Sequence, residues 1–140
     1  PHDAEPTLAF RLEHAGRTAA ICTDMGHPER ATAERLAGAH LLVLEFNHDA
    51  DMLAHGPYTS ALKRRVAGPR GHLSNAEAAE VLRWALAPEL ATLVLAHLSA
   101  TNNRPELALA SARAALTEAG RTDVRLVVAE QGRVGPLLAV

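Results

Sequence analysis

The chain has 140 residues, of which 48% are hydrophobic and 21% are charged, and its formal net charge is −2. These values are close to those of ordinary globular proteins, so they exclude a disordered chain and a fibrous repeat. The length allows one domain of ordinary size or one half of a larger pseudo-symmetric domain. The longest apolar runs, residues 41–44 and 93–96, are far shorter than the roughly 20 residues of a membrane span, so no membrane segment is expected.

Cysteine usage and the first residues bear on the cellular compartment. The single cysteine, Cys22, cannot form an internal disulfide, which is typical of a reducing compartment. Residues 1–6 lack the basic and then apolar pattern of a secretory signal. We therefore expect a cytoplasmic protein.

The charge gives no global basic field of the kind that many nucleic-acid-binding proteins use. One local basic cluster is either a phosphate-binding rim or a solvated helix face. It consists of Lys63, Arg64, Arg65 and Arg70. The chain also has eight histidines beside only 3% aromatic residues. Because histidine is the commonest metal ligand and the usual acid or base at neutral pH, the positions of these histidines become the main question.

The first third of the chain predicts a hairpin, a short helix and a buried strand. Residues 7–13 alternate in polarity, residues 15–17 form a turn, and residues 18–22 form the second strand of the hairpin. Pro28 begins a short helix. Residues 41–46 are then predicted to form a buried strand.

The middle of the chain is predicted to be mostly helical. Asp49 and Asp51 favour a helical turn, and residues 60–67 are predicted to form a helix with its basic residues outward. Asn75 is placed to cap an amphipathic helix over residues 76–87.

The last third predicts a strand, a helix and a strand. Residues 92–98 form the first of these strands, Pro105 begins a helix over residues 106–118, and residues 124–129 form the last strand. The alternation of strands and helices after an opening hairpin predicts an α/β fold with a layered sheet. No repeat, charge block or low-complexity linker divides residues 1–140, so we treat them as one unit.

Chemically useful side chains occupy equivalent places in these elements. Asp24, Glu45 and His97 lie where predicted strands end, and His72 lies just before a helix. Layered α/β folds bind ligands at the carboxyl ends of their strands, so these four residues are predicted to converge in one cleft.

Five short blocks occur in a distinctive order. They are His-Asp-Ala-Glu-Pro from residue 2, Thr-Asp-Met-Gly-His from residue 23, Leu-Glu-Phe-Asn-His-Asp from residue 44, Gly-His-Leu-Ser-Asn from residue 71 and Leu-Ala-His-Leu-Ser from residue 95. In this order they resemble the second half of hydrolases of the metallo-β-lactamase fold, which is an αββα sandwich. The branch that they most resemble is that of the small bacterial exonucleases. Ribonuclease Z is similar, but its long substrate-gripping arm has no room between His2 and Asp24.

The resemblance implies a fold, a partner and a metal site. It implies that this chain is the C-terminal αβ half of such a domain, with the N-terminal half as its partner. It assigns His2, Asp24 and His97 as metal ligands, with Asp24 bridging two divalent ions of zinc or manganese. A carboxylate has two oxygens and can span two cations, while imidazole fills terminal positions on these metals.

The resemblance also implies roles beside the metals. His72 matches a histidine that contacts the scissile phosphate and assists the leaving group, and Glu45 matches an acidic residue at the site edge that orients a histidine. Asn47 and His48 belong to a block that is a signature of the branch, and we predict that they contact the substrate. The predicted function is a metal-dependent phosphodiesterase or nuclease that acts on nucleic acid, with DNA favoured by the block around Asn47 and His48.

One departure limits what these 140 residues are expected to do alone. The first metal motif of the family, His-x-His-x-Asp-His, does not occur in the sequence. We expect it in an upstream N-terminal half, and we do not expect turnover by the isolated chain. Two alternatives stay open: a hydrolase of a small ester, lactone or cyclic phosphate, and an inactive binding or scaffold module.

Overall fold

The computed structural model describes residues 2–4 and 6–140. Strands and helices follow one another in the order β1 (Phe10–His14), β2 (Arg17–Cys22), α1 (Arg30–Leu36), β3 (Leu41–Glu45), α2 (Ala50–His55), α3 (Ser60–Val66), α4 (Asn75–Ala85), β4 (Thr92–Ala96), α5 (Pro105–Glu118) and β5 (Arg125–Val128). The predicted α/β alternation is confirmed. In the part of the chain that is described, no helix is long and apolar enough to cross a bilayer.

The strands form one sheet in the order in which they occur in the chain. β1 pairs with β2 in the antiparallel direction, and β2, β3, β4 and β5 are parallel neighbours. The hairpin between β1 and β2 turns at Ala15 and Gly16, whose φ angles are +48° and +74°. A two-residue hairpin turn of this kind needs positive φ at both positions, because its twist must match that of the strands.

Helix α4 begins with a reciprocal cap that differs from the predicted one. The Ser74 side chain accepts from the backbone N–H of Glu77, and the Glu77 carboxylate accepts from the backbone N–H of Ser74. This capping box satisfies two backbone donors at the start of the helix. Ser74 is therefore the N-cap, and the prediction that Asn75 fills this role is wrong. Asn75 is the first residue of the helix, and its side chain is used elsewhere.

The two faces of the sheet differ in what packs on them. One face, called here the helix-covered face, joins residues of α1, α4 and α5 in the hydrophobic core. Its strand residues are Ala20, Cys22, Leu42, Leu44, Leu93 and Leu95. Side chains in a strand alternate between faces, and register partners on neighbouring strands share a face, so the intervening positions define the other face. This open face carries Phe10, Leu12, Ile21, Val43 and Val127, none of which belongs to the described core.

Candidate metal centre

Three strands deliver side chains to one edge of the sheet. β2, β3 and β4 are parallel, and at their carboxyl ends the chain places Asp24, Glu45 and His97. His72 reaches the same place from the loop before α4. The predicted convergence of these four residues is observed, because parallel neighbouring strands end at the same edge.

Asp24 and His97 share an unusual backbone conformation. Each has a φ angle of +58°, in the left-handed region that few non-glycine residues adopt. In His97 this conformation ends β4 at Ala96, two residues before the predicted end of the strand. Backbone conformations of this kind cost free energy and persist where the surroundings enforce them, often at functional sites.

Glu45 is the buried centre of the site. Its exposure is 0%, and its Oε1 accepts hydrogen bonds from Nδ1 of His72 (2.7 Å) and from Nδ1 of His97 (3.1 Å). Its Oε2 accepts from the backbone N–H of Met25 (2.8 Å). Because a carboxylate only accepts, both imidazoles must carry a proton on Nδ1. When either ring is neutral, its Nε2 is the nitrogen with a free lone pair.

The electrostatics of this cluster favour charge separation. Burial is the largest influence on Glu45 and raises its pKa, but the hydrogen bonds from His72, His97 and Met25 together outweigh burial, and the pKa lies below its ordinary value. The hydrogen bond to Glu45 raises the pKa of His97 above the ordinary range for histidine. A charged Glu45 carboxylate therefore holds both rings by their Nδ1 protons.

Asp24 lies among three imidazoles without being bonded to one of them. Its Oδ1 is 3.7 Å from Nε2 of His2, 3.9 Å from Nδ1 of His72 and 3.8 Å from Nδ1 of His97. Its Oδ2 accepts a hydrogen bond from the Thr23 hydroxyl (3.1 Å). One carboxylate oxygen is thus held by a neighbour in the chain, and the other faces the histidines.

His2 is packed into the same cluster despite its place near the start of the chain. Its exposure is 7%, and its Nδ1 accepts from the backbone N–H of Ala4 (3.0 Å), which leaves the proton of a neutral ring on Nε2. That Nε2 is 3.4 Å from Nε2 of His72. Binding of a cation through Nε2 requires the proton to move to Nδ1. Asp3 offers an acceptor there, since its Oδ1 is 3.4 Å from that nitrogen and its Oδ2 accepts from Arg65 (2.5 Å).

The donor set fits a divalent cation such as zinc or manganese. The ligand atoms of His2, Asp24 and His72 lie within 4.8 Å of one another, as do those of Glu45, His72 and His97. Imidazole and carboxylate are the ligands that these metals use. The oxygens of Glu45 already accept three N–H groups, so Glu45 suits the role of an outer partner that orients the histidines. The atoms that remain for a cation belong to His2, Asp24, His72 and His97.

Asn47 and His48 occupy different surroundings from each other. Asn47 lines a cleft of about 860 Å³ together with His72 and His97, and its Nδ2 donates to the His97 carbonyl (3.0 Å). His48 is 2% exposed, and burial lowers its pKa below the ordinary value. The predicted contact between His48 and a substrate finds no support in this placement, because its side chain has almost no surface to offer.

The cleft also contains residues that the sequence alone did not single out. Tyr58 and the segment from Leu98 to Asn103 line it beside the histidines. The pair Asn102 and Asn103 before the Pro105 helix start was the available signal, since consecutive asparagines at a helix entrance commonly bond to nearby backbone. The partners of the Asn103 side chain are Asn75 and the carbonyls of Phe46 and Asn47, which lie far away in sequence, so the pattern by itself does not identify them.

The predicted basic cluster is partly structural. The Lys63 ammonium donates to the Ala54 carbonyl (2.7 Å), and Arg65 is paired with Asp3. Arg64 is exposed on α3. At least two of the four basic residues thus hold neighbouring elements in place, so the cluster is not simply a solvated helix face.

Comparisons with known proteins agree with this architecture. The chain is 35% identical over 119 residues to exodeoxyribonuclease YycJ of Bacillus anthracis, a match that covers 85% of this chain and 45% of the relative. It is 34% identical over 107 residues to exodeoxyribonuclease WalJ of Streptococcus pneumoniae serotype 2, covering 76% of this chain and 40% of the relative. The metallo-β-lactamase fold protein YhfI of Bacillus subtilis matches with a TM-score of 0.59 at 18% identity, covering 89% of this chain and 42% of YhfI. No family model matches the sequence.

The chain therefore has a metallo-β-lactamase fold. Within that fold its sequence is similar to those of the bacterial exodeoxyribonucleases YycJ and WalJ. The predicted fold class and the predicted branch are confirmed. The chain spans less than half the length of the curated relatives that it matches.

Proposed function

We propose that the protein to which this chain belongs is a metal-dependent phosphodiesterase that degrades DNA. The observation that carries the proposal is the cluster of His2, Asp24, His72 and His97 around the buried carboxylate of Glu45. Support for a nucleic-acid substrate comes from the sequence similarity to two proteins named as exodeoxyribonucleases.

The residues of the site divide into ligands and a proton donor. His2, Asp24 and His97 would hold the metals through imidazole nitrogens and a carboxylate. Two bound divalent cations would activate a water and offset the charge that develops on the phosphoryl group. His72 keeps its Nδ1 proton directed at Glu45 and, when protonated, donates its Nε2 proton to the leaving oxygen. Glu45 stabilises that protonated ring without reaching the surface.

This chain would form the C-terminal αβ half of the complete domain, and an N-terminal half would complete it. Three features support this arrangement: the relatives are more than twice as long as the matched region, the motif His-x-His-x-Asp-His is absent from this sequence, and the open face of the sheet is apolar. A second sheet packed on Phe10, Leu12 and Val43 would remove that face from water. Location in the cytoplasm is part of the same proposal and is supported by the single, buried, unpaired thiol of Cys22.

The test uses the full-length protein, purified without chelators, on end-labelled DNA with Mn²⁺. Elemental analysis should find stoichiometric zinc or manganese. The Asp24→Ala variant removes a ligand and His72→Ala removes the proton donor, so each should lower the cleavage rate by roughly 100-fold or more. His14→Ala, an exposed histidine at the opposite edge of the sheet, is the control and should cleave normally.

Three outcomes would overturn the proposal. Absence of bound metal would remove the metal site, and unchanged cleavage by Asp24→Ala would remove Asp24 from it. Hydrolysis of a lactone or a cyclic phosphate without cleavage of DNA would favour a small-molecule hydrolase.

A further inference from the structure

Asn47 connects the loops that carry His72 and His97. Its backbone N–H donates to the carbonyl of Leu73 (3.1 Å), directly after His72. Its backbone carbonyl accepts from the N–H of Ser99 (2.8 Å), and its side-chain Nδ2 donates to the carbonyl of His97 (3.0 Å). One residue at the end of β3 thus bonds to the loop on each side of it.

The hydrogen bond from the Asn47 side chain is made to the carbonyl of His97, whose backbone is in the left-handed conformation. His97 has a φ angle of +58°, in the left-handed region that few non-glycine residues adopt and that costs free energy. Asn47 holds the turn at both ends, since its side chain fixes the His97 carbonyl and its own carbonyl fixes the Ser99 N–H. The direction of the His97 side chain depends on this backbone, so Asn47 controls where the imidazole lies.

Asn47 is in turn held by a buried pair of carboxamides. Asn103 donates from Nδ2 to the carbonyls of Phe46 (2.8 Å) and Asn47 (3.1 Å). Asn103 and Asn75 also exchange hydrogen bonds through their side chains, at 3.0 Å and 2.9 Å, and both are buried. Each carboxamide both donates and accepts, which neither a carboxylate nor an apolar side chain can reproduce. Asn47, Asn75 and Asn103 therefore form a hydrogen-bonded network next to His97, and its geometry is fixed by these bonds.

We propose that Asn47 is a positioning residue that holds His97 in its left-handed conformation and so directs the imidazole toward the metal. This inference rests on the proposed metal site at His97. It differs from a direct contact between Asn47 and the substrate, which the position of Asn47 in the wall of the cleft also permits. The two roles make different predictions, because a substrate contact affects binding of DNA and a positioning role affects binding of the metal.

The experiment measures the zinc affinity of the full-length protein by competition with a fluorescent chelator. Asn47→Ala removes the bond to the His97 carbonyl, and Asn47→Asp keeps the shape of the side chain but replaces the donor by a carboxylate oxygen, which only accepts and adds a negative charge. Loss of a residue that orients a metal ligand typically costs roughly 10- to 100-fold in metal affinity, and we expect this loss in both variants. Ser74→Ala is the matched control, since it removes a buried polar cap beside the site without touching the His97 turn.

The result expected is a loss of zinc affinity in the Asn47 variants and none in Ser74→Ala, even where their melting temperatures fall equally. Unchanged zinc affinity in a folded Asn47 variant would overturn the inference, and a raised KM for DNA with unchanged zinc affinity would replace it by substrate contact. If Asn47→Ala does not fold, the isosteric Asn47→Asp decides. Failure of the unmodified protein to bind zinc or manganese would instead contradict the proposed function.

Discussion

The two faces of the central sheet have opposite relations to the rest of the chain. On the helix-covered face, Leu42 is 1% exposed and lies in a core shared with three helices. On the open face, Leu12 is 57% exposed and Phe10 is 53% exposed, although both are as apolar as the core residues. The chain thus buries the helix-covered face and leaves the hairpin side of the other face exposed, whereas Leu41 and Val94 of that face are each 7% exposed.

The difference shows which face of the sheet this chain can bury with its own helices. A sheet that is apolar on both faces is typical of layered folds in which each face is packed against another layer. The helices of this chain supply one layer. The candidate metal centre lies at the carboxyl edge, where the two faces meet, so a layer packed on the open face would also border the site.

A matched pair of leucines gives the largest expected difference between the faces. Leu42→Ala should destabilise the chain by about 2–5 kcal/mol, because it leaves a cavity in a packed core. Leu12→Ala should change the free energy of unfolding by less than about 0.5 kcal/mol, because its side chain is already in water. Urea unfolding of both variants measures the difference. Equal losses would contradict the division into two faces, and a larger loss for Leu12→Ala in the full-length protein would show that its face is covered there.

The reactivities of thiols at the adjacent positions 21 and 22 of β2 compare the exposure of the two faces. Burial, with a smaller effect from the charge of Glu45, raises the pKa of the Cys22 thiol to about 11 from 9.0. The thiolate fraction near pH 8 is then lower by about 100-fold, and reaction with a disulfide reagent should slow at least as much. A thiol introduced by Ile21→Cys with Cys22→Ala lies on the open face, where position 21 is partly exposed, and should react much faster than Cys22. Similar rates at the two positions would be evidence against the comparison.

Substitutions at two glycines test whether the loop at the carboxyl edge of the sheet is packed as tightly as the core. A Cβ on Gly71 would lie 2.1 Å from the Val66 carbonyl oxygen and 2.3 Å from that of Arg65, so Gly71→Ala must displace the loop that carries His72. We expect a loss of about 1–3 kcal/mol in stability, as for other overpacked sites. Gly135→Ala is the control, because a Cβ there meets no atom within 4 Å. Thermal unfolding compares them, and equal stabilities would mean that the loop is loosely held.

Much of the architecture could be predicted from local patterns. Strand alternation, Pro28, Pro105 and the hairpin turn are short-range signals, and the elements they predicted are present within a few residues. The end of β4 was misplaced because the backbone turns left-handed at His97, whose carbonyl accepts from Asn47, a residue fifty positions away in sequence. Likewise, the cap of α4 depends on a reciprocal bond from Glu77 that favours Ser74 over its polar neighbour.

The site was predictable as a set of residues but not as an arrangement. The predicted strand ends and the order of the sequence blocks grouped five residues into one site, and the roles of these residues stay predictions. They are His2, Asp24, Glu45, His72 and His97. That one carboxylate would accept from both His72 and His97 follows from the spacing of β3 and β4 and from the path of the loop before α4. Burial of His48 likewise follows from the pairing of its segment with the start of α4.

The left-handed backbones of Asp24 and His97 also affect how the site can change in evolution. Glycine and asparagine tolerate this conformation well, whereas β-branched residues do not. An inactive homologue can therefore replace both side chains and still keep the two left-handed turns at the carboxyl edge of the sheet. We expect inactive relatives to carry glycine or asparagine at positions 24 and 97. An unchanged backbone with these substitutions would then distinguish a binding scaffold from a nuclease.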